Sequence, residues 1–268
     1  MVDVPGGALF TLSGGSPTAP PAVLVHSGIA HARMWLPLLR GTYDDLFGIA
    51  YDCRCFGRST TRTDVTYSDT EDLGSVLDAY AVGPVVLIGE SRGARIALDF
   101  ALAHPDRVRG LFLTAPDISG FDAPVSAAEQ KLRDAIEAAD RAGEIDGIIA
   151  HEARLLVDGP TRGPDPERAA LRRGIAEMSR ANYAQQQDDV PDHTAVDAPA
   201  ATRLAELACP VHVLVGEADT TGTQAMAAAL EEECPKSTLV RVPDAAHALA
   251  LERPETVERE LRTWLRTI

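Results

Sequence analysis

Lysine is nearly absent from this chain. Only Lys131 and Lys236 occur in 268 residues, so arginine carries almost all of the positive charge. We read that bias as a mark of lineage rather than as a binding device. The balance is strongly acidic, with 25 Lys and Arg against 40 Asp and Glu and a formal net charge of −15. Such an excess repels nucleic acid and anionic membrane surfaces, so neither is expected as a partner. Cysteine is scarce: Cys53, Cys55, Cys209 and Cys234 are the complement, and no Cys or His cluster completes a metal site. No run of about 18 apolar residues appears, which argues against a membrane-spanning helix. Residues 1–21 lack a basic stretch followed by a continuous apolar one, so no secretory signal is expected and the chain is expected in the cytoplasm. What remains is ordinary globular composition, 45 % hydrophobic and 24 % charged, with length for one large α/β domain and an insertion.

The most informative stretch is Gly89-Glu90-Ser91-Arg92-Gly93. An unbroken apolar run, Val85–Ile88, precedes it, and a helical pattern, 94–101, follows. A serine on so sharp a strand-to-helix turn needs neighbours two residues away with almost no side chain. The turn lifts the hydroxyl above the sheet edge, and the new helix directs N–H groups toward developing negative charge. Two later runs share the pattern of strand followed by a chemical group. Val211–Gly216 leads to Glu217-Ala218-Asp219, and Thr238–Val242 leads to Pro243-Asp244-Ala245-Ala246-His247. Serine, acid and histidine each follow a strand's carboxyl end. In a parallel sheet those ends share one edge, so the three can converge.

With these motifs the chain resembles the α/β-hydrolase family over nearly its whole length. Val23-Leu24-Val25-His26-Ser27-Gly28 is similar to the family's oxyanion-loop strand, and 51–59 (YDCRCFGRS) to its Y-D-x-R-G-x-G-x-S segment. Residues 100–108 resemble the end of the elbow helix, and 247–255 the histidine loop. The closest likeness is to esterase-like and C–C-hydrolase-like members with a helical cap. Departures occur at Ser27 and Cys55, where glycine is usual, and at Glu90, Arg92 and Ala94. None removes a catalytic atom; all bear on the pocket and so on the substrate.

The expected architecture is α/β: a mostly parallel central sheet with helices on both faces and an inserted all-helical cap. Residues 1–118 and 208–268 form the core and 119–207 the cap. Strands are expected at Ala8–Leu12, Ala22–His26, Leu46–Tyr51, Val85–Ile88 and Val108–Thr114, with a helix starting at Met34–Leu39. Ser68–Glu71 reads as a capping box opening a helix to Ala81, and Ser126–Glu129 as another opening a helix to Ala142. Further cap helices are expected over Ile145–Val157 and from Asp165-Pro166 to about Gln186. An acidic loop should follow over Asp188–Pro199.

The resemblance implies roles. Ser91 is the nucleophile, His247 the base, and Asp219 the acid that orients it. Asp117 is the competing acid, since some family members carry theirs after that earlier strand. The Arg92 N–H and a second donor, Gly28 with Ile29 as the alternative, form the oxyanion hole. Ile29, Glu90, Arg92 and Asp117 are substrate-binding candidates. Arg92 either reads a substrate acid group or pairs with Glu90, Asp117 or a cap carboxylate. His26 is expected to order the oxyanion loop, while His31, His151 and His193 are within reach of the pocket. No cofactor or metal is expected. The substrate is a small molecule, and the oligomeric state, monomer or homodimer, is open. The leading expectation is hydrolysis of an ester, thioester, lactone or C–C bond next to a carbonyl. Its rivals are a biosynthetic cyclase, acyltransferase or lyase using the same groups, and a receptor-like member with little turnover.

Overall fold

The structure, a computed structural model, describes residues 1–185 and 191–268. Its strands are β1 (Val2–Val4), β2 (Gly7–Leu9), β3 (Thr11–Gly14), β4 (Pro21–Val25), β5 (Phe47–Tyr51), β6 (Thr60–Thr61), β7 (Val85–Ser91), β8 (Val108–Pro116), β9 (Val211–Gly216) and β10 (Ser237–Val242). Seven of them form the main sheet in the order β10-β9-β8-β7-β4-β5-β3; β1, β2 and β6 form a small one. In the main sheet only β3 runs antiparallel to its neighbour. The expected strand Ala8–Leu12 is instead two strands in different sheets. Phe10 marks the break: its N–H leaves the pairing to donate to Ser59 Oγ, while its carbonyl accepts from Asp52 N–H, in register with the β3–β5 pairing.

The continuous apolar runs have a plain cause. Successive strand residues point to opposite faces, and both faces are covered. Val23, Val25, Leu87 and Leu111 pack on one side with Leu73, Leu77 and Phe100. Leu24, Ile88, Phe112 and Leu214 pack on the other with Trp35, Leu249 and Trp264. Each such side chain contributes about 1.5–3 kcal/mol through burial.

The helices are α1 (Leu36–Gly41), α2 (Asp69–Ala79), α3 (Arg92–Ala103), α4 (Ala127–Arg141), α5 (Ile145–Ala153), α6 (Ala169–Gln185), α7 (Thr221–Glu233), α8 (Leu249–Glu252) and α9 (Pro254–Leu265). The capping box expected before α2 does not close. Ser68 makes no side-chain cap bond, because its hydroxyl pairs with Thr70 Oγ1 at 2.8 Å. That helix also stops at Ala79, and Ala81 turns left-handed at φ +52°. The box at Ser126 and Glu129 is complete.

Between β8 and β9 lies an insertion in which α4, α5 and α6 are the described α-helices. The helix expected over Ile145–Val157 is α5 followed by a wider π turn, Arg154–Asp158, which ends at Gly159 with φ +83°. Asp165 caps the short turn leading into α6 by accepting from Glu167 N–H. The expected end of that helix at Gln186 and the start of the expected loop at Asp188 lie outside the described residues. Farther on, Tyr67 and His193 form a parallel bridge that lays the returning chain beside the start of α2.

Candidate active site

Strand β7 ends on Ser91, whose backbone is left-handed at φ +53°, ψ −118°. A serine in that conformation costs of order 1–3 kcal/mol, which the surrounding packing must hold. The glycines show how. A Cβ on Gly89 would meet the backbone of Gly93 and Ala94, and one on Gly93 would overlap the Val25 carbonyl. Close approach of α3 to β4 and β7 therefore requires both glycines, and it fixes the turn between them.

His247 follows β10 and Asp219 follows β9, each across the carboxyl edge from Ser91. His247 Nε2 lies 2.8 Å from Ser91 Oγ. Its Nδ1 lies 2.9 and 3.1 Å from the two Asp219 oxygens. An ionised carboxylate only accepts, so Nδ1 carries the proton and Nε2 offers its lone pair to the serine O–H. Asp219 is itself fixed, since Oδ1 accepts from Thr220 N–H at 2.6 Å. Burial disfavours a charged His247, but Asp219, and more weakly Glu90, outweigh it and raise its pKa above the ordinary 6.5. The His247 backbone N–H donates to Leu156 O, in the π turn of the insertion, at 3.0 Å. Asp117, the competing acid, sits 3.6 Å from Arg95 and is more than a third exposed; none of its hydrogen bonds reaches His247.

Arg92 is the first residue of α3, where helix geometry leaves its N–H without an internal acceptor. Gly28 is exposed, and a Cβ built on it would meet nothing within 4 Å. Ile29 is buried against Ala153, Val157, Ile175 and Ala248. Ala30 N–H is engaged by Ser27 O at 3.2 Å. His26, fully buried, donates from Nδ1 to Ser27 O at 2.8 Å and accepts at Nε2 from Cys53 N–H at 2.9 Å. Both ring positions are used by a neutral ring, and burial pushes the pKa down to about 3. His26 thus stays neutral and orders the loop.

One substrate-binding expectation requires correction. Glu90 is 1 % exposed, so it presents no face to a ligand. Its Oε2 accepts from Ala250 N–H at 2.9 Å and from Thr114 Oγ1 at 3.0 Å, joining the nucleophile strand to the histidine loop. Burial raises its pKa to about 7. The Arg92 side chain pairs with none of the partners weighed. It donates to both oxygens of Asp69 at 2.8 and 3.0 Å and lies over the Phe56 ring, 4.8 Å from its centre. Asp69 also receives His193 Nε2 at 3.2 Å, so His193 too belongs to this cluster. Asp69 was hidden in the sequence because its surroundings read as a helix start. His31 caps the short turn after the oxyanion loop, with Nδ1 accepting from Arg33 N–H.

Cys55, where the family pattern has glycine, adopts φ +64°, a conformation glycine takes without cost. Among the described residues, no group of three or more His, Cys, Asp or Glu is arranged to hold a metal ion. Among them, too, no helix is long and apolar enough to cross a membrane.

The family model described as "Alpha/beta hydrolase family" matches residues 22–260. The chain belongs to that family and is a hydrolase by class. Among curated proteins it is similar to (E)-2-((N-methylformamido)methylene)succinate hydrolase of Acinetobacter baylyi, 24 % identical over 92 % of this chain and 90 % of that protein. Among solved structures it is similar to the esterase RhEst1 from Rhodococcus sp. ECU1013. The TM-score is 0.81 at 23 % identity, covering 99 % of this chain and 97 % of the other. A thermophilic esterase from Thermogutta terrifontis, solved with malate bound, superposes with a TM-score of 0.72 at 27 % identity, over 97 % and 94 % of the two chains.

Proposed function

We propose that this protein is a cofactor-independent serine hydrolase acting on a small ester, thioester, lactone or C–C bond next to a carbonyl. The observation that carries the reading is the unbroken chain of hydrogen bonds from Ser91 Oγ through His247 to Asp219, starting at a serine held in a left-handed turn. His247 Nε2 takes the serine proton as Oγ bonds to the substrate carbonyl carbon. Asp219 holds the ring in the required tautomer and offsets the imidazolium charge. The carbonyl oxygen becomes an oxyanion, received by the N–H groups of Arg92 and Gly28 or Ile29. Collapse expels the leaving group, which takes the proton from His247. Water, deprotonated by His247, then releases the acyl group and restores Ser91. The esterase relatives support ester cleavage, and the inserted helices serve as a cap over the site. The test is turnover of a short activated ester, with covalent labelling by an organophosphonate traced to Ser91. Absence of both in well-folded protein would refute the reading.

A further inference from the structure

The proposed oxyanion loop is fastened to the core at its two ends. His26 and Ser27 are tied through Cys53 N–H and the His26 ring, and Ala32 N–H donates to Asp52 Oδ1 at 2.7 Å. Between these ends lie Gly28, Ile29 and Ala30. Their contacts with side-chain polar groups come from the insertion. Ser179 Oγ, on α6, donates to Ile29 O at 3.3 Å. One turn on, Asn182 Nδ2 donates to Ala30 O at 2.9 Å. Asn182 Oδ1 accepts from Gly57 N–H at 3.0 Å. Gly57 belongs to the loop after β5, which also carries Asp52 and its bonds to Ala32 and Arg58. Asn182 is 3 % exposed and Ser179 likewise. The amide orientation is unambiguous, because one partner can only donate and the other can only accept. Gln185 adds a further contact, donating to Gly57 O.

We propose that Asn182, supported by Ser179, is a positioning residue that aims the backbone N–H groups of Gly28 and Ile29 at the oxyanion. The inference rests on the serine-hydrolase reading above. The Ile29 carbonyl shares one rigid peptide plane with Ala30 N–H, which donates to Ser27 O, and Ser27 O shares its plane with Gly28 N–H; fixing Ile29 O and Ala30 O therefore holds the Gly28 and Ile29 N–H groups between two anchored planes. Gly28, exposed and without a side chain, adds no side-chain contact of its own to that hold. Donors must already point to where charge develops if they are to act without reorganising. The insertion thus supplies alignment, through a side chain that bridges two core loops, and not only a wall for the substrate.

The experiment compares Asn182→Ala, Asn182→Asp and Ser179→Ala with Tyr183→Phe. Tyr183 OH donates to Glu152 Oε1 at 2.8 Å inside the insertion, so its variant controls for a loosened insertion. Each is assayed with p-nitrophenyl acetate, and each is titrated with a small trifluoromethyl ketone, whose adduct with serine bears an oxyanion. Asn182→Asp keeps the acceptor for Gly57 but replaces the donor to Ala30. The expected result is a fall in kcat of about 10- to 100-fold for both Asn182 variants, the scale of a misplaced reacting group. KM should stay within about twofold. The ketone should weaken in parallel with kcat, Ser179→Ala should show a smaller loss, and Tyr183→Phe should match wild type. Should Asn182→Ala fail to fold, Asn182→Asp and Ser179→Ala carry the comparison. Wild-type kcat and ketone affinity in these variants would overturn the proposal while leaving the hydrolase reading intact. Failure of wild-type protein to react with either reagent would instead overturn the hydrolase reading, and this one with it.

Discussion

The sheet edge that carries Ser91 and the insertion between β8 and β9 are built by different means. On the core side, Ser91, Asp219 and His247 stand at or just beyond the ends of β7, β9 and β10, where parallel register sets their separation. Strands β7 and β9 are buried on both faces over nearly all their length, while β10, at the edge of the sheet, is mostly part-exposed. On the insertion side, helices surround a small apolar cluster of Val157, Ile175 and Ala153 against Ile29 and Ala248. The insertion is also tied to the core by apolar residues near its C-terminal end, Ala200, Leu204 and Leu207, and by directed polar contacts, among them Leu156 O to His247 N–H, Asn182 to Ala30 and Gly57, and Arg162 to Asp244 O. The core brings Ser91 and Asp219 within hydrogen-bond distance of His247, and the insertion contacts the loops beside them. The contacts observed end on the backbone of His247 and of the oxyanion loop, so loosening them should reach chemistry as well as selectivity.

The most severe test of the core side is Ser91→Ala. It should reduce turnover of an activated short ester by about 10⁴- to 10⁶-fold, since linked catalytic groups fail together. The Tm should stay close to wild type, because alanine fits the space. Steady-state assay and phosphonate labelling, paired with thermal melting, check both parts; retention of turnover would break the comparison at its root.

Next in size, Asp219→Asn should lower kcat by about 10⁴-fold through the wrong histidine tautomer. Asp117→Asn should change it by no more than about threefold, because that carboxylate pairs with Arg95 at 3.6 Å and makes no bond to His247. Side-by-side kinetics decide between the two, and the reverse ranking would transfer the acid to β8.

Ile175→Ala probes the insertion side. The side chain is 2 % exposed and packs against Ile29 and Ala248. A loss of about 2–4 kcal/mol is expected from transfer and cavity terms. Urea unfolding reads the loss, and a second, earlier transition would show the insertion parting from the core before the core melts.

The smallest effect concerns pH. Activity requires neutral His247, whose pKa is raised above 6.5, so kcat/KM should climb with pH along a limb centred above that value. The Glu90 carboxylate, with its pKa near 7, favours the imidazolium, and the two groups titrate as a pair. Glu90→Gln removes the negative charge while keeping an oxygen for Ala250 N–H. The limb should move to lower pH, by less than about one unit. A profile of kcat/KM from pH 5 to 9 measures it; a move to higher pH would show that Glu90 does not act on His247 through its charge.

Much was legible along the chain. Gly89 and Gly93 announced a turn too tight for side chains, and the apolar runs around Ile88 and Leu214 announced strands covered on both faces. Ser91, Asp219 and His247 could be singled out because each lies within a few residues of such a run's end, a local property, and the structure places the three side chains within hydrogen-bond distance. The capping box of α4 was readable for the same reason, as both its partners lie within one turn. What the chain alone could not show were bonds between distant segments. Arg92 finds Asp69 across 23 residues, Glu90 finds Ala250 across 160, and Asn182 finds Ala30 across 152. Nothing near Glu90 distinguishes a side chain facing a pocket from one turned into the protein, nothing near Arg92 names Asp69 as its partner, and nothing near Asn182 marks it as more than a polar residue on a helix. Local spacing and hydrophobic period determined the fold and the order of its reactive groups. The partners that fix their charge and orientation were decided only when the sheet closed and the insertion settled on its edge, since burial and hydrogen bonding depend on which surfaces come to face one another.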